Sequence, residues 1–396
     1  MEFVEEIEKE LLHILNYWEK RTIDDVHGGF VGRIDQSNLI IPNMPKGAVL
    51  NARILWTFSA AYAYTKNIVH YQLAERAYQY IKTFFVDREY GGVYWSVDFS
   101  GRPLDTKKQT YALSFALYGL SEYYKINKDS EVLELALNLY SDLEKHSFDR
   151  RNSGYYEAFS REWLEISDLR LSDKDANEKK TMNTHLHIIE AYTNLYRSWP
   201  NNGLKSSIKS LLLDFKNHIF DVDSNHLILF MNEGWESKVT IYSYGHDIEA
   251  SWLLLEAAEV INHRTLIKSF KEIAIKLADA TLEGIGNDGA LIYENNLSKS
   301  DFNKQKHWWV QAEAIVGFIN AWEISKHDKY LKTAESLWTF IRTYIIDYQN
   351  GEWLWGRNED LTIMEGEDKV GLWKCPYHNT RACLEVIRRI KATQEY

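Results

Sequence analysis

Two kinds of helical stretch alternate along the 396-residue chain. In residues 71–85, 132–145, 205–218, 266–277 and 330–346, apolar side chains recur at helical spacing along one stripe, which predicts helices that bury a single face. Residues 1–12 form an acidic amphipathic stretch of the same kind. The other kind is apolar nearly all round and begins near Gly47, Gln109, Met182, Gly245, Trp308 and Pro376, as expected of helices covered on most sides. Between each pair lies a segment rich in glycine or aromatic residues that reads as a short hairpin: 28–32, 91–95, 154–157, 226–230, 289–293 and 351–355. The unit is therefore outer helix, hairpin, inner helix, repeated six times at a period of roughly sixty to seventy residues.

Six such units predict an all-α (α/α)6 barrel: twelve helices in two concentric rings, with short β-hairpins at the end where the inner helices begin. Closure leaves no terminal repeat with a bare apolar face, which an open solenoid, the alternative, would have. No linker rich in proline, glycine or serine interrupts the series, so residues 1–396 read as one domain. Gly284, Gly286 and Gly289 fit a G-x-G-x-x-G pattern. They precede the strand-like Leu291, Ile292 and Tyr293 rather than a helix, so they read as a turn and not as a nucleotide loop.

The charged residues of the inner helices stand out against this apolar background. His246 and Glu249, three apart, share a face at the start of the fourth inner helix. Arg53 is the lone charge of the first, and a buried guanidinium needs a carboxylate partner or a charge that develops on a ligand. Asn183, His187, Glu190 and Asn194 share one face of the third, which assigns His187 to the lumen and His185 to packing or hydrogen bonding. Of the adjacent Trp308 and Trp309, one is expected to project inward. His378 opens the sixth inner helix as His246 opens the fourth, and Tyr111 is a further lumen candidate on the second.

Composition narrows the ligand. The chain carries 14 Trp and 25 Tyr, more flat amphipathic surface than a core requires, and such rings stack on the C–H faces of sugars. A net charge of -11 without a long basic block argues against nucleic acid, and no apolar run would span a membrane. Cys375 and Cys383 fit neither a disulfide framework nor a common zinc pattern, the histidine spacings do not form a zinc helix, and a reducing cytoplasm is the expected location. Two imidazoles, an arginine and aromatic walls suggest proton transfer at a carbon next to a carbonyl, one ring taking a proton and a protonated one returning it. Arg53 would stabilise the enediolate oxygen, and Glu249 would hold His246 charged or assist ring opening.

Residues 245–256, 183–187, 307–313 and 374–379 together resemble the cellobiose 2-epimerases of the N-acylglucosamine 2-epimerase superfamily, and the likeness runs from Gly28 to Arg381. The resemblance implies reversible C2 epimerisation of the reducing-end sugar of β-1,4-linked disaccharides such as cellobiose, lactose or mannobiose, without a cofactor or metal. By motif, His246 and His378 are the expected acid/base pair, Arg53 the enediolate stabiliser, and Glu249 and His187 ring-opening or orienting groups. Asn183, Tyr111, Asp175, Trp308, Trp309, Trp373 and Glu313 are the expected sugar contacts. Asp247 stands where the N-acylglucosamine branch has a small residue. The expected partner is a small disaccharide, not nucleic acid or membrane, with the protein a monomer or weak homodimer. Rival readings are a monosaccharide aldose-ketose isomerase, an N-acylglucosamine 2-epimerase, a glycoside hydrolase using Glu249, Asp175 and Glu313, and a non-catalytic sugar-binding protein.

Overall fold

In the computed structural model, which describes residues 2–296 and 301–394, the chain alternates between an outer and an inner layer. Outer α1 (Glu2–Arg21) leads to inner α2 (Ala48–Thr65), outer α3 (Ile68–Tyr80) to inner α4 (Thr110–Asn127), and outer α5 (Ser130–Asp142) to inner α6 (Met182–Ser198). Outer α7 (Asn202–Asp214) leads to inner α8 (Tyr244–Val260), outer α9 (Arg264–Thr281) to inner α10 (Trp308–Ser325), and outer α11 (Asp328–Phe340) to inner α12 (Tyr377–Gln394). Each inner helix packs on the next, and α12 returns to α2, closing the ring. α1 lies against α12, so the first and last repeats share a seam. These twelve helices of the described residues form the expected (α/α)6 barrel. None of them is long and apolar enough to cross a membrane.

The inner helices are buried because they offer water no polar stripe: every residue of α2 from Ala48 to Ala61 is covered. Short turns then reverse the chain. α2, α4 and α10 end on Lys66, Lys128 and Lys326 in the left-handed conformation, each donating its N–H to a carbonyl four residues back. Asn67 and Asp129 cap the outer helices that follow. Four outer helices run on as single π-helical turns, residues 81–85, 143–147, 215–219 and 341–345, which widen the last turn before the hairpin.

The six predicted hairpins are present, each closed by one antiparallel bridge: Ile23 with Phe30, Val86 with Val93, Phe148 with Tyr155, Phe220 with Leu227, Ile285 with Leu291, and Ile346 with Trp353. The fifth is the glycine turn at 284–289, where Gly286 donates to the Ala290 carbonyl. Short antiparallel pairs then stitch each repeat to the next. Lys46 opposes Val97, Lys108 opposes Phe159, Lys180 opposes Met231 and Lys306 opposes Arg357.

The lysine in these pairs is a repeat signature of its own. Two residues before an inner helix begins, it turns back to the aspartate of its own hairpin: Lys46 to Asp24 at 2.7 Å, Lys108 to Asp87 at 2.8 Å, Lys180 to Asp149 at 2.8 Å and Lys306 to Asp288 at 3.0 Å. Before α12, Lys374 pairs with Glu352 and Lys369 with Asp347. In the fourth repeat Tyr242 takes the lysine position and stacks on His226, ring centroids 4.0 Å apart. His226 donates to Asp247 at 2.7 Å.

Candidate active site

Counting each inner helix from the second residue after that lysine position brings the six into register. The sixth residues are then Arg53, Phe115, His187, Glu249, Glu313 and Arg381. The second residues include Tyr111, Asn183, Gly245, Trp309 and Tyr377, and the ninth include Trp56, Tyr118, Glu190 and Trp252. Residues four and three apart share a helix face, so these positions stack as three layers along the barrel axis. Gly245 is required in the uppermost layer, because a Cβ there would lie 2.7 Å from the Trp309 ring.

Above the charged layer opens a cavity of about 650 Å³. Arg53, Tyr111, Asn183, His187, His246, Glu249, Trp308, Trp309, Trp373 and His378 all line it, as does Asp175 on the irregular segment before α6. His246 and His378 share this one cavity: the Trp309 ring centroid is 4.8 Å from the first and 5.7 Å from the second. Both members of the tryptophan pair reach the wall, where the sequence suggested only one. Glu313 does not reach it; this carboxylate is buried beneath His378 and accepts from its Nδ1 at 2.6 Å. It is therefore placed to orient an imidazole rather than to touch a sugar.

Two other cavity imidazoles are also held at Nδ1, one by a carboxylate and one by a hydroxyl. His187 Nδ1 donates to Glu190 at 2.9 Å, its ring edge-on to Tyr111. His246 Nδ1 meets the Ser243 hydroxyl at 2.8 Å. Glu249 makes no bond to His246, so it does not hold that ring charged as the helical spacing suggested; one of its oxygens accepts from Arg381 at 2.6 Å and the other has no partner. Asn194, grouped with the lumen face, instead bonds Glu122 and Lys125 away from the cavity. His185 takes the supporting role expected of it: Nε2 accepts the Tyr155 N–H, and Nδ1 donates to the Thr181 carbonyl. Asp247 likewise faces its hairpin, accepting from Leu227 N–H and His226.

Burial sets the protonation states. It pushes His246 down to about 3, with His187 adding to the effect, and His378 well below its ordinary value, with Arg53 and Arg381 reinforcing it. Both rings are therefore neutral at neutral pH, and the already protonated partner expected from the sequence is not a histidine of the ligand-free cavity. Burial and the charge of Glu313 push Glu249 well above the carboxylate range, which favours its protonated form. Burial alone would raise Glu190, but Arg381 and His187 outweigh it and hold Glu190 at about 2.

Arg53 forms no ion pair among the described residues. Its Nη2 donates to the Tyr111 hydroxyl at 2.8 Å and its Nη1 reaches the Cys375 sulfur at 3.7 Å, while the guanidinium lies 4.1 Å from the Phe115 ring centroid. Its Nε is buried without an acceptor. This is a buried positive charge with no carboxylate beside it among the described residues. Glu249, Glu313 and His378 could bring ligand atoms around a cation, but Arg381 already sits among them as the cation. Sequence reasoning passed over Arg381, Glu190 as the partner of His187, and Tyr377; the register of the six inner helices was the signal that would have found the first.

An (α/α)6 barrel with imidazoles, indoles and an unpaired guanidinium at the mouth of its axis defines a protein of the carbohydrate-handling class. The chain belongs to the N-acylglucosamine 2-epimerase (GlcNAc 2-epimerase) family, which residues 28–382 match. It is 48% identical to the cellobiose 2-epimerase of Bacteroides fragilis over 384 residues, 97% of this chain and 98% of that one. It is 42% identical to the cellobiose 2-epimerase of Ruminococcus albus over 98% of both chains. The solved cellobiose 2-epimerase of Bacillus thermoamylovorans B4167 superposes with a TM-score of 0.94 at 41% identity, covering 98% of this chain and 99% of that one.

Proposed function

We propose that this chain reversibly epimerises C2 of the reducing-end sugar of β-1,4-linked disaccharides, converting cellobiose to glucosyl-mannose and acting also on lactose or mannobiose. The observation that carries the reading is the placement of His246 and His378 about one indole, Trp309, in a single cavity with the unpaired Arg53. The similarity to the cellobiose 2-epimerases supports the disaccharide. Tyr111, Asn183, Asp175, Trp308, Trp309 and Trp373 contact the sugar, and His187, backed by Glu190, assists opening of the pyranose ring.

The open chain presents an acidic C2–H beside its aldehyde. His378 commits its Nδ1–H to Glu313, which leaves the Nε2 lone pair for the C2 proton; the imidazolium so formed is matched by the Glu313 carboxylate. The electron pair moves onto O1, where Arg53 supplies the charge that its own surroundings lack. Protonated Glu249, which lines the same cavity without touching His246, passes its proton to that imidazole through an intervening water, and His246 returns one to the opposite face of C2. Forward turnover leaves His378 protonated and Glu249 ionised, and the reverse reaction starts from that state. These residues supply acid, base and electrostatic stabilisation without a cofactor, and we place the enzyme in the cytoplasm as a monomer or weak homodimer.

Glu249 and Glu313 share one nitrogen of Arg381, and Glu313 lies off the cavity wall, so they do not flank a glycosidic bond as a hydrolase requires. Incubation with cellobiose in deuterated water, followed by NMR, is expected to show deuterium at C2 and growth of the mannose-ended epimer. Release of glucose would identify a hydrolase, and label at C1 of a ketose would identify an isomerase. His246→Ala and His378→Ala are each expected to abolish turnover with the far-UV spectrum unchanged; full activity in either removes that residue from the mechanism.

A further inference from the structure

We infer that Arg381 is the positioning residue of this site, a single guanidinium that holds the carboxylates behind the cavity imidazoles in one array. The inference rests on the epimerase reading above. Arg381 is 2% exposed, below the cavity, and its two terminal nitrogens reach three helices. Nη2 donates to Glu249 on α8 and to Glu313 on α10, both at 2.6 Å. Nη1 donates to Glu190 on α6 and to the Tyr377 hydroxyl, which itself donates to Glu190. The plane of the guanidinium is fixed by aromatic faces, Tyr377 at 4.3 Å and Trp252 at 4.8 Å.

Two of the carboxylates it holds each orient an imidazole. Glu190 orients His187 and Glu313 orients His378, while Glu249 shares the inward face of α8 with His246 without bonding it. Three buried carboxyl groups around one cation cannot all be ionised without leaving uncompensated charge. At least one must keep a proton, and the bonding shows which is least supported as an anion. Glu190 accepts from Arg381, Tyr377 and His187, and Glu313 accepts from Arg381, Trp252 and His378, whereas Glu249 has Arg381 alone and one oxygen with no partner. The proton thus stays on the carboxyl that opens into the cavity. Burial does most to keep His378 neutral before substrate binds, and the charges of Arg53, Arg381 and His187 add to it. Tyr111 and Tyr118 are further titratable groups packed around this centre, with Cys375 beside Arg53.

The test compares Arg381→Gln, which removes the charge, with Arg381→Lys, which keeps the charge but cannot hold two carboxylates on one planar nitrogen. The first readout needs no activity: in the ligand-free protein, imidazole nitrogens are followed by NMR from about pH 5 to 8. The His378 ring, identified by its loss in His378→Ala, is expected to stay neutral across that range in the parent and in Arg381→Lys, and to shift toward protonation at the acid end of the range in Arg381→Gln. The second readout is turnover of cellobiose: both variants are expected to lose kcat by on the order of 100-fold, as for loss of a positioned acid or base, with KM within about twofold of the parent. If Arg381→Gln does not fold, Arg381→Lys alone decides through its kcat and KM. An unchanged His378 titration together with near-parent kcat overturns the proposal. A parent protein that exchanges no C2 proton overturns the epimerase reading instead, and leaves the His378 titration as a separate result.

Discussion

His378 and Glu313 make the plainest case of one residue working through another. The imidazole lines the cavity and the carboxylate does not, yet the 2.6 Å bond between them fixes which nitrogen faces the sugar. Glu313→Gln keeps the shape but can present its amide to Nδ1, so the ring loses its fixed tautomer; kcat is expected to fall on the order of 100-fold while KM barely moves. Undiminished kcat in steady-state assays would refute this. The pH profile follows from the same centre. The base must be neutral, and burial places His246 at about 3 and His378 well below 6.5, so protonation of these rings removes activity only on the acid side of 6.5. The acid must be protonated, and Glu249, raised well above 4.5, loses that form only as pH climbs through its raised value. The expected kcat/KM profile has no acid limb at 6.5, and its alkaline fall is set by Glu249; an acid limb centred on 6.5 would be the contrary result. Arg53 was legible in the sequence because it is the one charge on an apolar helix. Arg381 was not, because α12 also carries Arg388, Arg389 and Lys391 on its outer turns, and one charge among several carries no signal until the helices are set in register.

At the scale of the repeat, alternation of striped and uniformly apolar stretches located the helices closely. Inner helices expected near 47, 109, 182, 245, 308 and 376 begin at Ala48, Thr110, Met182, Tyr244, Trp308 and Tyr377. The outer helix expected over 71–85 is α3, from Ile68, carried on to Phe85 by its π-helical turn, a change of winding that apolar spacing does not encode. The lysine-aspartate pairs were not read at all, since a lysine at a strand end looks like any exposed lysine. Their burial makes them testable. Lys180 and Asp149 are 0% and 2% exposed, so Lys180→Met should cost roughly 3–5 kcal/mol by stranding the carboxylate. Urea unfolding that shifts by less than about 1 kcal/mol would show the pair to be dispensable. In the fourth repeat, where Tyr242 replaces the lysine, the buried pair is His226 with Asp247. Burial alone would lower the His226 pKa, but the bond to Asp247 and the charge of Asp247 and Glu283 prevail and raise it above 6.5. A raised folded pKa means that this contribution is complete below 6.5 and lost as pH rises through the folded value. The melting temperature should therefore decline across that interval, and His226→Gln should flatten the decline.

For the whole molecule, the sequence foretold closure from the count of six units, but not how the first and last repeats meet. They meet through buried polar contacts. Trp18 of α1 donates to Glu352, which also accepts from Lys374 at 2.7 Å and Asn379 at 2.7 Å, and Glu10 accepts the Trp353 indole at 2.8 Å. Trp18→Ala should cost roughly 3–5 kcal/mol, and in a closed ring that loss is felt everywhere. Helicity, indole fluorescence and turnover should be lost in one coincident transition; turnover outlasting half of the helicity would contradict a sealed ring. The seam also has a temporal side. The helix that presses against α1 is the one bearing His378 and Arg381, so the element that finishes the barrel leaves the ribosome after the eleven other helices. Chains stalled before residue 377 should be captured by chaperones and bind no sugar, and competence should arise abruptly once α12 clears the exit tunnel, with no gradual gain as earlier repeats emerge.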